Sequence, residues 1–175
     1  MGRSIKDIIS FGLKNNFDII AIMASNGKDN PFQLSRLINP IIKENYDYIQ
    51  GSRFLRGGSY KNLPFFRMLL IKGFTFIMSL FTGYHLTDAT NGFRAYKLDI
   101  LRKDKRIDIF QNWLDRYELE TYLHYKFLTL GYKFKEVAVS KNYIRKNKKY
   151  SHIKPFLDWW SILKPLFYLK VGLKK

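Results

Sequence analysis

The sequence predicts an α/β protein built on an open sheet flanked by helices. Short apolar runs of strand length alternate with stretches of helical period, and the polar loops that end the strands carry glycines. A chain of 175 residues is long enough for one domain with a sizeable core. Its 46% hydrophobic and 17% aromatic content excludes a disordered or collagen-like chain.

Ile5, Ile8, Ile9, Gly12 and Leu13 recur at helical spacing behind Ser4, the expected N-cap, and Asn15-Asn16 closes this first helix. Residues 18–23 (DIIAIM) read as a strand buried on both faces of a parallel sheet, because five apolar residues stand in a row. Residues 24–30 (ASNGKDN) form the loop at its C-terminal end. Pro31 suits a first helical turn, and Leu34, Leu37, Ile38, Ile41 and Ile42 supply the apolar face of the helix behind it. Residues 46–50 (YDYIQ) return as a strand. The resulting βαβ unit places a ligand crevice along the edge where the strands end.

Residues 51–61 (GSRFLRGGSYK) then form a basic, glycine-bearing loop, and a long apolar helix follows from about residue 63. Residues 88–94 (DATNGFR) are a polar turn before Ala95-Tyr96. Residues 113–128 combine aromatic and acidic side chains at helical spacing, and residues 133–139 (KFKEVAV) alternate like a strand. The stretch 141–150 is basic. Residues 153–169, with Trp159, Trp160 and Phe167, suit an amphipathic helical segment at an interface. The expected division is an α/β domain over 1–150 and a tail over 151–175 that meets a membrane surface.

Lys plus Arg number 31 against 14 Asp plus Glu, a net charge of +17, so the expected partners are anionic: phosphate-bearing ligands, nucleic acid or an anionic membrane surface. The absence of cysteine excludes disulfides, Cys-ligated zinc, iron-sulfur clusters and thiol nucleophiles. Residues 1–13 carry Arg3, Lys6 and Asp7 and lack the apolar run of a secretory signal. Arg67 and Lys72 interrupt the apolar stretch 63–86, as Asp158, Lys164 and Pro165 interrupt 156–169, so neither is expected to span a bilayer. His85, His124 and His152 show no metal-ligand spacing.

Three loops could carry chemistry. Asn26 and Asp29 offer oxygen ligands to a hard divalent cation, and serve equally as the side chains of an Asx-type turn. Arg53, Arg56 and Lys61 beside Gly51, Gly57 and Gly58 suit phosphate oxygens, or are simply solvated. Asp88 stands in the otherwise uncharged stretch 73–93, where it either caps a turn or functions.

In order, residues 2–12 (GRSIKDIISFG), 21–31 (AIMASNGKDNP), 46–60 (YDYIQGSRFLRGGSY) and 87–96 (TDATNGFRAY), with Arg67 between the last two, resemble family 2 glycosyltransferases of the dolichyl- or polyprenyl-phosphate sugar synthase group. Similarity to a less characterised bacterial branch continues through 113–120 (WLDRYELE) and Trp159-Trp160. The resemblance implies a GT-A-like sheet that binds a nucleotide-diphosphosugar and passes the sugar to a lipid phosphate or an envelope glycan, at the inner, cytoplasmic face of the membrane. It implies that Arg53 and Arg67 neutralise donor or acceptor phosphate and that Asp88 orders the acceptor-side loop with Arg94 nearby. Arg56 and Asn26 become substrate contacts, and Asp29 a ligand to Mg²⁺ or Mn²⁺.

The chain departs from the family pattern twice. No βα units with a Pro and an Asn-Glu motif precede Ser4, so the chain is expected to be the C-terminal part of a catalytic unit, inactive alone unless a separate chain supplies the rest. Ala24, Ser25 and Asn26 stand where two aspartates flank one residue in the family. A phosphate-monoester acceptor is already ionised near neutral pH and needs no strong base, whereas a sugar hydroxyl would need one from Asp88, Asp115, Glu118 or Glu120. Two other classes stay open: a basic nucleic-acid binder, supported by charge but by no motif, and a membrane-surface accessory protein.

Overall fold

The computed structural model describes residues 1–143 and 157–174. The basic stretch 144–150, His152, the start of the amphipathic segment at 153–156 and the side chain of Trp159 lie outside the described residues.

Helix α1 (Gly2–Lys14) begins behind Met1 and not at Ser4. A tertiary contact sets that start: Arg3 N donates to the Asp115 carbonyl at 3.2 Å. A Cβ on Gly2 would lie 2.5 Å from the carbonyl oxygens of Leu114 and Arg116, so only glycine fits there. Strand β1 (Ile19–Ile22) follows, then a 3-10 turn (Pro31–Gln33) that Asn30 opens by accepting from Phe32 N at 3.1 Å. Helix α2 (Leu34–Glu44) ends on Asn45 in the left-handed region, at φ 55°.

Strand β2 (Tyr48–Ser52) is buried throughout, and β3 (Ser59–Lys61) is exposed. Helix α3 (Phe65–Thr82), β4 (Arg94–Lys97) and the short α4 (Leu98–Lys103) precede α5 (Glu118–Thr129). Strands β5 (Phe134–Ala138) and β6 (Ser140–Asn142) and helix α6 (Leu157–Lys170) complete the described chain.

The main sheet has the order β1-β4-β2-β5. Strand β4 runs antiparallel to both β1 and β2, while β2 and β5 are parallel. The fully parallel sheet expected from the apolar run at 18–23 is therefore corrected to a mixed one with β1 at its edge. The run is apolar because helices cover both faces of β1, and two-sided burial does not encode strand direction. Strands β1, β2 and β5 share a direction, and β4 is reversed among them. Their C-terminal ends and the N-terminal end of β4 thus meet on one edge, with Ile22 and Gln50 both opposite Arg94.

On one face Ile5 and Ile9 of α1 and Leu119, Leu123 and Phe127 of α5 pack on Tyr48 and Tyr96. Those two tyrosine rings stack at 4.7 Å, and the Tyr48 hydroxyl lies 2.6 Å from His124 Nδ1 and from Gln50 Oε1. On the other face Leu37 and Ile41 of α2 cover Ile49, Ala95 and Val139. Behind α5, a third cluster joins Phe74 and Met78 of α3 to Leu166 of α6. The amphipathic C-terminal segment is thus a helix docked on α5 and α3, with Trp160 and Phe167 left exposed. The result is a mixed α/β molecule with an open sheet flanked by helices, compatible with a GT-A-like fold.

Candidate functional site

Four segments converge at the sheet edge. Strand β2 delivers Arg53, the turn before β4 delivers Asp88 to Arg94, the β1 loop delivers Lys28 and Asp29, and β5 bends at Val139 into β6. Strand β6 is held between the β1 loop and β3. Asn142 N donates to the Lys28 carbonyl at 2.9 Å, Tyr143 N donates to the Lys61 carbonyl at 3.0 Å, and β3 and β6 pair in parallel.

Arg53 and Asp88 form a buried pair, 3% and 0% exposed. Arg53 Nε lies 2.6 Å from Asp88 Oδ2 and Nη2 lies 2.6 Å from Oδ1, while the backbone N of Arg53 adds a bond of 3.1 Å. The guanidinium also donates to Thr90 Oγ1 at 2.8 Å and, through Nη1, to the Tyr143 hydroxyl. Burial opposes the Arg53 charge, but the bonds and charge of Asp88 outweigh it and hold the group above the usual arginine range. Asp88 Oδ1 meets Thr90 N at 3.3 Å as well, so the carboxylate orders the turn. Both of its oxygens are occupied, which leaves it ill placed as a general base.

Glu136, on β5, fixes the same turn from beneath. Its carboxylate accepts from Thr87 N, Thr87 Oγ1 and Asp88 N at 2.9, 2.7 and 2.9 Å. Arg94, expected near substrate, is 2% exposed and turned inward. It donates to the carbonyls of Asn91, Glu120 and Ala89 at 2.7, 2.9 and 3.0 Å, which braces the turn.

Tyr143 is the meeting point of the cations. Besides Arg53 at its hydroxyl, Arg67 from the first turn of α3 lies 5.3 Å from the ring centroid and Lys28 lies 5.8 Å from it. Among the described residues Arg67 pairs with no carboxylate. Burial and the neighbouring Arg53 charge lower its pKa, although Tyr143 works in the other direction. Lys141 completes the group: its Nζ lies 2.8 Å from Asp29 Oδ1 and donates to Asn91 Oδ1 at 2.9 Å. Arg53 and Lys141 thus pair with Asp88 and Asp29, and Arg67 and Lys28 stand beside them at Tyr143, which gathers four cations in a partly dry environment. Arg56 and Asn26 are exposed on the flanking loops, and Asn26 Oδ1 accepts from Lys28 N at 3.3 Å in an Asx-type turn.

Asp29, expected as a metal ligand, is 6% exposed and already holds Lys141, and its Oδ2 lies 3.3 Å from Ala24 N. Among the described residues no three His, Cys, Asp or Glu side chains gather to hold an ion. A single neutralised carboxylate beside several ammonium and guanidinium groups does not fit Mg²⁺ or Mn²⁺, which seek multiple oxygen ligands. Of the other acids, Asp115 pairs with Arg3 and Lys6 and Glu118 with Lys164. Glu120 Oε1 is buried without a hydrogen-bond partner among the described residues. His124 is held neutral, its pKa pushed well down by burial and by Arg94, in keeping with a structural histidine.

Lys28, Glu136, Lys141 and Tyr143 are site residues that the sequence reading passed over. For the last two a signal exists: Val139, Lys141 and Tyr143 alternate, and all three are buried.

No family model matches the chain. Curated proteins do. An uncharacterized protein of Methanocaldococcus jannaschii is 30% identical over 147 residues, covering 82% of this chain and 56% of that protein. The UDP-N-acetylglucosamine--dolichyl-phosphate N-acetylglucosaminyltransferase of Methanococcus voltae is 32% identical over 52% of this chain and 38% of its own length. The undecaprenyl-phosphate mannosyltransferase of Micrococcus luteus is 29% identical over 74% of this chain and 51% of its own length. The matches span 38% to 56% of the length of these relatives. At about 30% identity the chain is therefore similar to sugar transferases that use dolichyl or polyprenyl phosphate, which supports the family its motifs resemble.

Proposed function

We propose that the chain is the acceptor-side part of a family 2-like glycosyltransferase that moves a sugar from a nucleotide-diphosphosugar to a lipid phosphate. The observation that carries this reading is the convergence of Arg53, Arg67, Lys28 and Lys141 around Tyr143, at the edge where the strand ends meet. In the proposed step a lipid-phosphate oxygen attacks the anomeric carbon, the bond from that carbon to the diphosphate breaks, and the nucleoside diphosphate leaves with the electron pair. The nucleophile is already ionised, so the engagement of Asp88 with Arg53 costs the reaction nothing. Arg67 neutralises phosphate charge, while Arg53, Asp88, Arg94 and Glu136 hold the turn in shape.

The lipid character of the acceptor is supported by α3. Although Arg67 and Lys72 interrupt it, this helix of 18 residues has a mean hydropathy of 1.5 and by length and composition alone is apolar enough to cross a membrane. It turns Ile71, Phe74 and Met78 inward and leaves Phe65, Phe66, Leu69, Phe76 and Leu80 exposed. A groove of about 590 Å³ runs between Phe76 and Leu80 of α3 and the loop through Leu86 to Thr87, next to Asp88. The reading places the protein at the inner face of the membrane, with the nucleotide held by the part of the catalytic unit that the relatives carry beyond the matched span, on the same or a separate chain.

The test is transfer. Labelled UDP- and GDP-sugars are incubated with a short-chain polyprenyl phosphate in mixed micelles and with the protein joined to the nucleotide-binding part that completes the catalytic unit. The expected result is an acid-labile glycolipid, lost with Arg67→Ala. Salt-sensitive RNA binding without any interaction with lipid phosphate would instead favour the nucleic-acid binder.

A further inference from the structure

We infer that the site binds its phosphate or diphosphate group without a divalent cation, the Lys141 ammonium taking the place that a metal would occupy beside Asp29. The inference rests on the phosphate reading above and adds how the charge is neutralised.

Asp29 sits at the C-terminal end of β1, where a hard cation is expected from the loop chemistry. Its oxygen is instead met by Lys141 Nζ at 2.8 Å, and the same nitrogen takes the side-chain oxygen of Asn91 at 2.9 Å. A carboxylate and an amide oxygen are the donors a divalent ion would seek. Here they orient an ammonium that is built into the chain, 9% exposed and carried on β6. Beside it opens a polar cavity of about 270 Å³ lined by Gly27, Lys28, Ser59, Lys61, Ser140 and Asn142. A metal entering this cavity meets Lys28, Lys61 and Lys141, with Arg53 and Arg67 behind them, and is repelled. A phosphate meets ammonium groups and the hydroxyl of Ser59, while that of Ser140 donates to Gln33 Oε1 at 3.1 Å.

Burial lowers the pKa of Lys28 and of Lys141. Arg67 and Lys141 lower that of Lys28 further, and Arg53 acts in the same sense on Lys141 against the favourable pull of Asp29. The charge of these lysines is thus costly in the free protein, and an anion relieves that cost.

Calorimetric titration of the full chain with inorganic pyrophosphate, once in EDTA and once with Mn²⁺, decides the matter. The expected result is binding of equal strength, within twofold, in both arms, weakened at least tenfold by Lys141→Ala and not rescued by Mn²⁺. Removing Lys141 alone strands the buried Asp29 charge, so the Asp29→Asn/Lys141→Met double variant, which deletes both charges, is read wherever the single variant fails to fold. Binding that appears only with Mn²⁺, or that ignores both variants, overturns the inference and leaves the phosphate reading standing. No binding in either arm overturns both.

Discussion

Arg53 and Asp88 are the residues on which the site turns, and their value is structural before it is chemical. Each is buried, so removing one leaves the other as an uncompensated charge. Arg53→Ala is expected to cost about 3–5 kcal/mol in chemical denaturation, and the double variant Arg53→Met/Asp88→Leu clearly less than the sum of the two single changes. A second expectation concerns pH. Anions prefer the charged lysines, and Lys28 and Lys141 lose their protons below the ordinary lysine value of 10.5. Pyrophosphate affinity should therefore fall as pH rises toward those lowered pKa values, at a pH where exposed lysines are still charged; affinity that falls only together with the charge of the exposed lysines would exclude Lys28 and Lys141 from the site. Sequence alone marked Arg53 and Asp88, because charges stand out in apolar or glycine-rich surroundings, and the family resemblance added Arg67. It did not reveal that Arg53 is spent on Asp88 or that Arg94 faces backbone carbonyls, since those pairings depend on how the turn folds back. Lys141 was hidden as one more basic residue beside a basic tail.

The strands that carry these residues explain why they meet. Strand β4 enters the sheet reversed, so its leading turn reaches the edge where β1, β2 and β5 end. Strand β4 and helix α4 went unread as elements, while most of the other helices and strands, and the edge on which to look, were legible from periodicity. The direction of β4 was not, because an apolar run reports burial and is silent on pairing. Nor was β3–β6, whose strands of three residues each fall below any period that can be read. The loop from β2 to β3 also depends on close backbone packing. A Cβ on Gly58 would come within 2.7 Å of the Ser52 carbonyl oxygen and 2.9 Å of the Arg53 backbone. Gly58→Ala should therefore displace this loop, lowering the melting temperature and weakening pyrophosphate binding together. Unchanged binding in a folded Gly58→Ala protein would separate the loop from the site.

Across the whole molecule, a net charge of +17 and the exposed apolar face of α3 act in the same direction. On the proposed reading the charge draws the protein to an anionic surface and the apolar face holds it there, so binding should have a salt-sensitive and a salt-resistant part. Replacing Leu69 and Phe76 with Glu should reduce sedimentation with phosphatidylglycerol vesicles several-fold at 0.15 M salt, without loss of fold, because both side chains are exposed. Retained binding would place the membrane contact elsewhere, with Trp160 and Phe167 of α6 the next candidates. The central claim is that a lipid phosphate is gripped beside Tyr143. It is tested most directly by titrating the protein with a short-chain polyprenyl phosphate and with the corresponding polyprenol, in detergent and with EDTA present. The phosphate should bind at least tenfold more tightly than the alcohol, and Arg67→Ala should erase that difference while the protein stays folded; equal affinity for the two lipids in the unaltered protein would contradict the account.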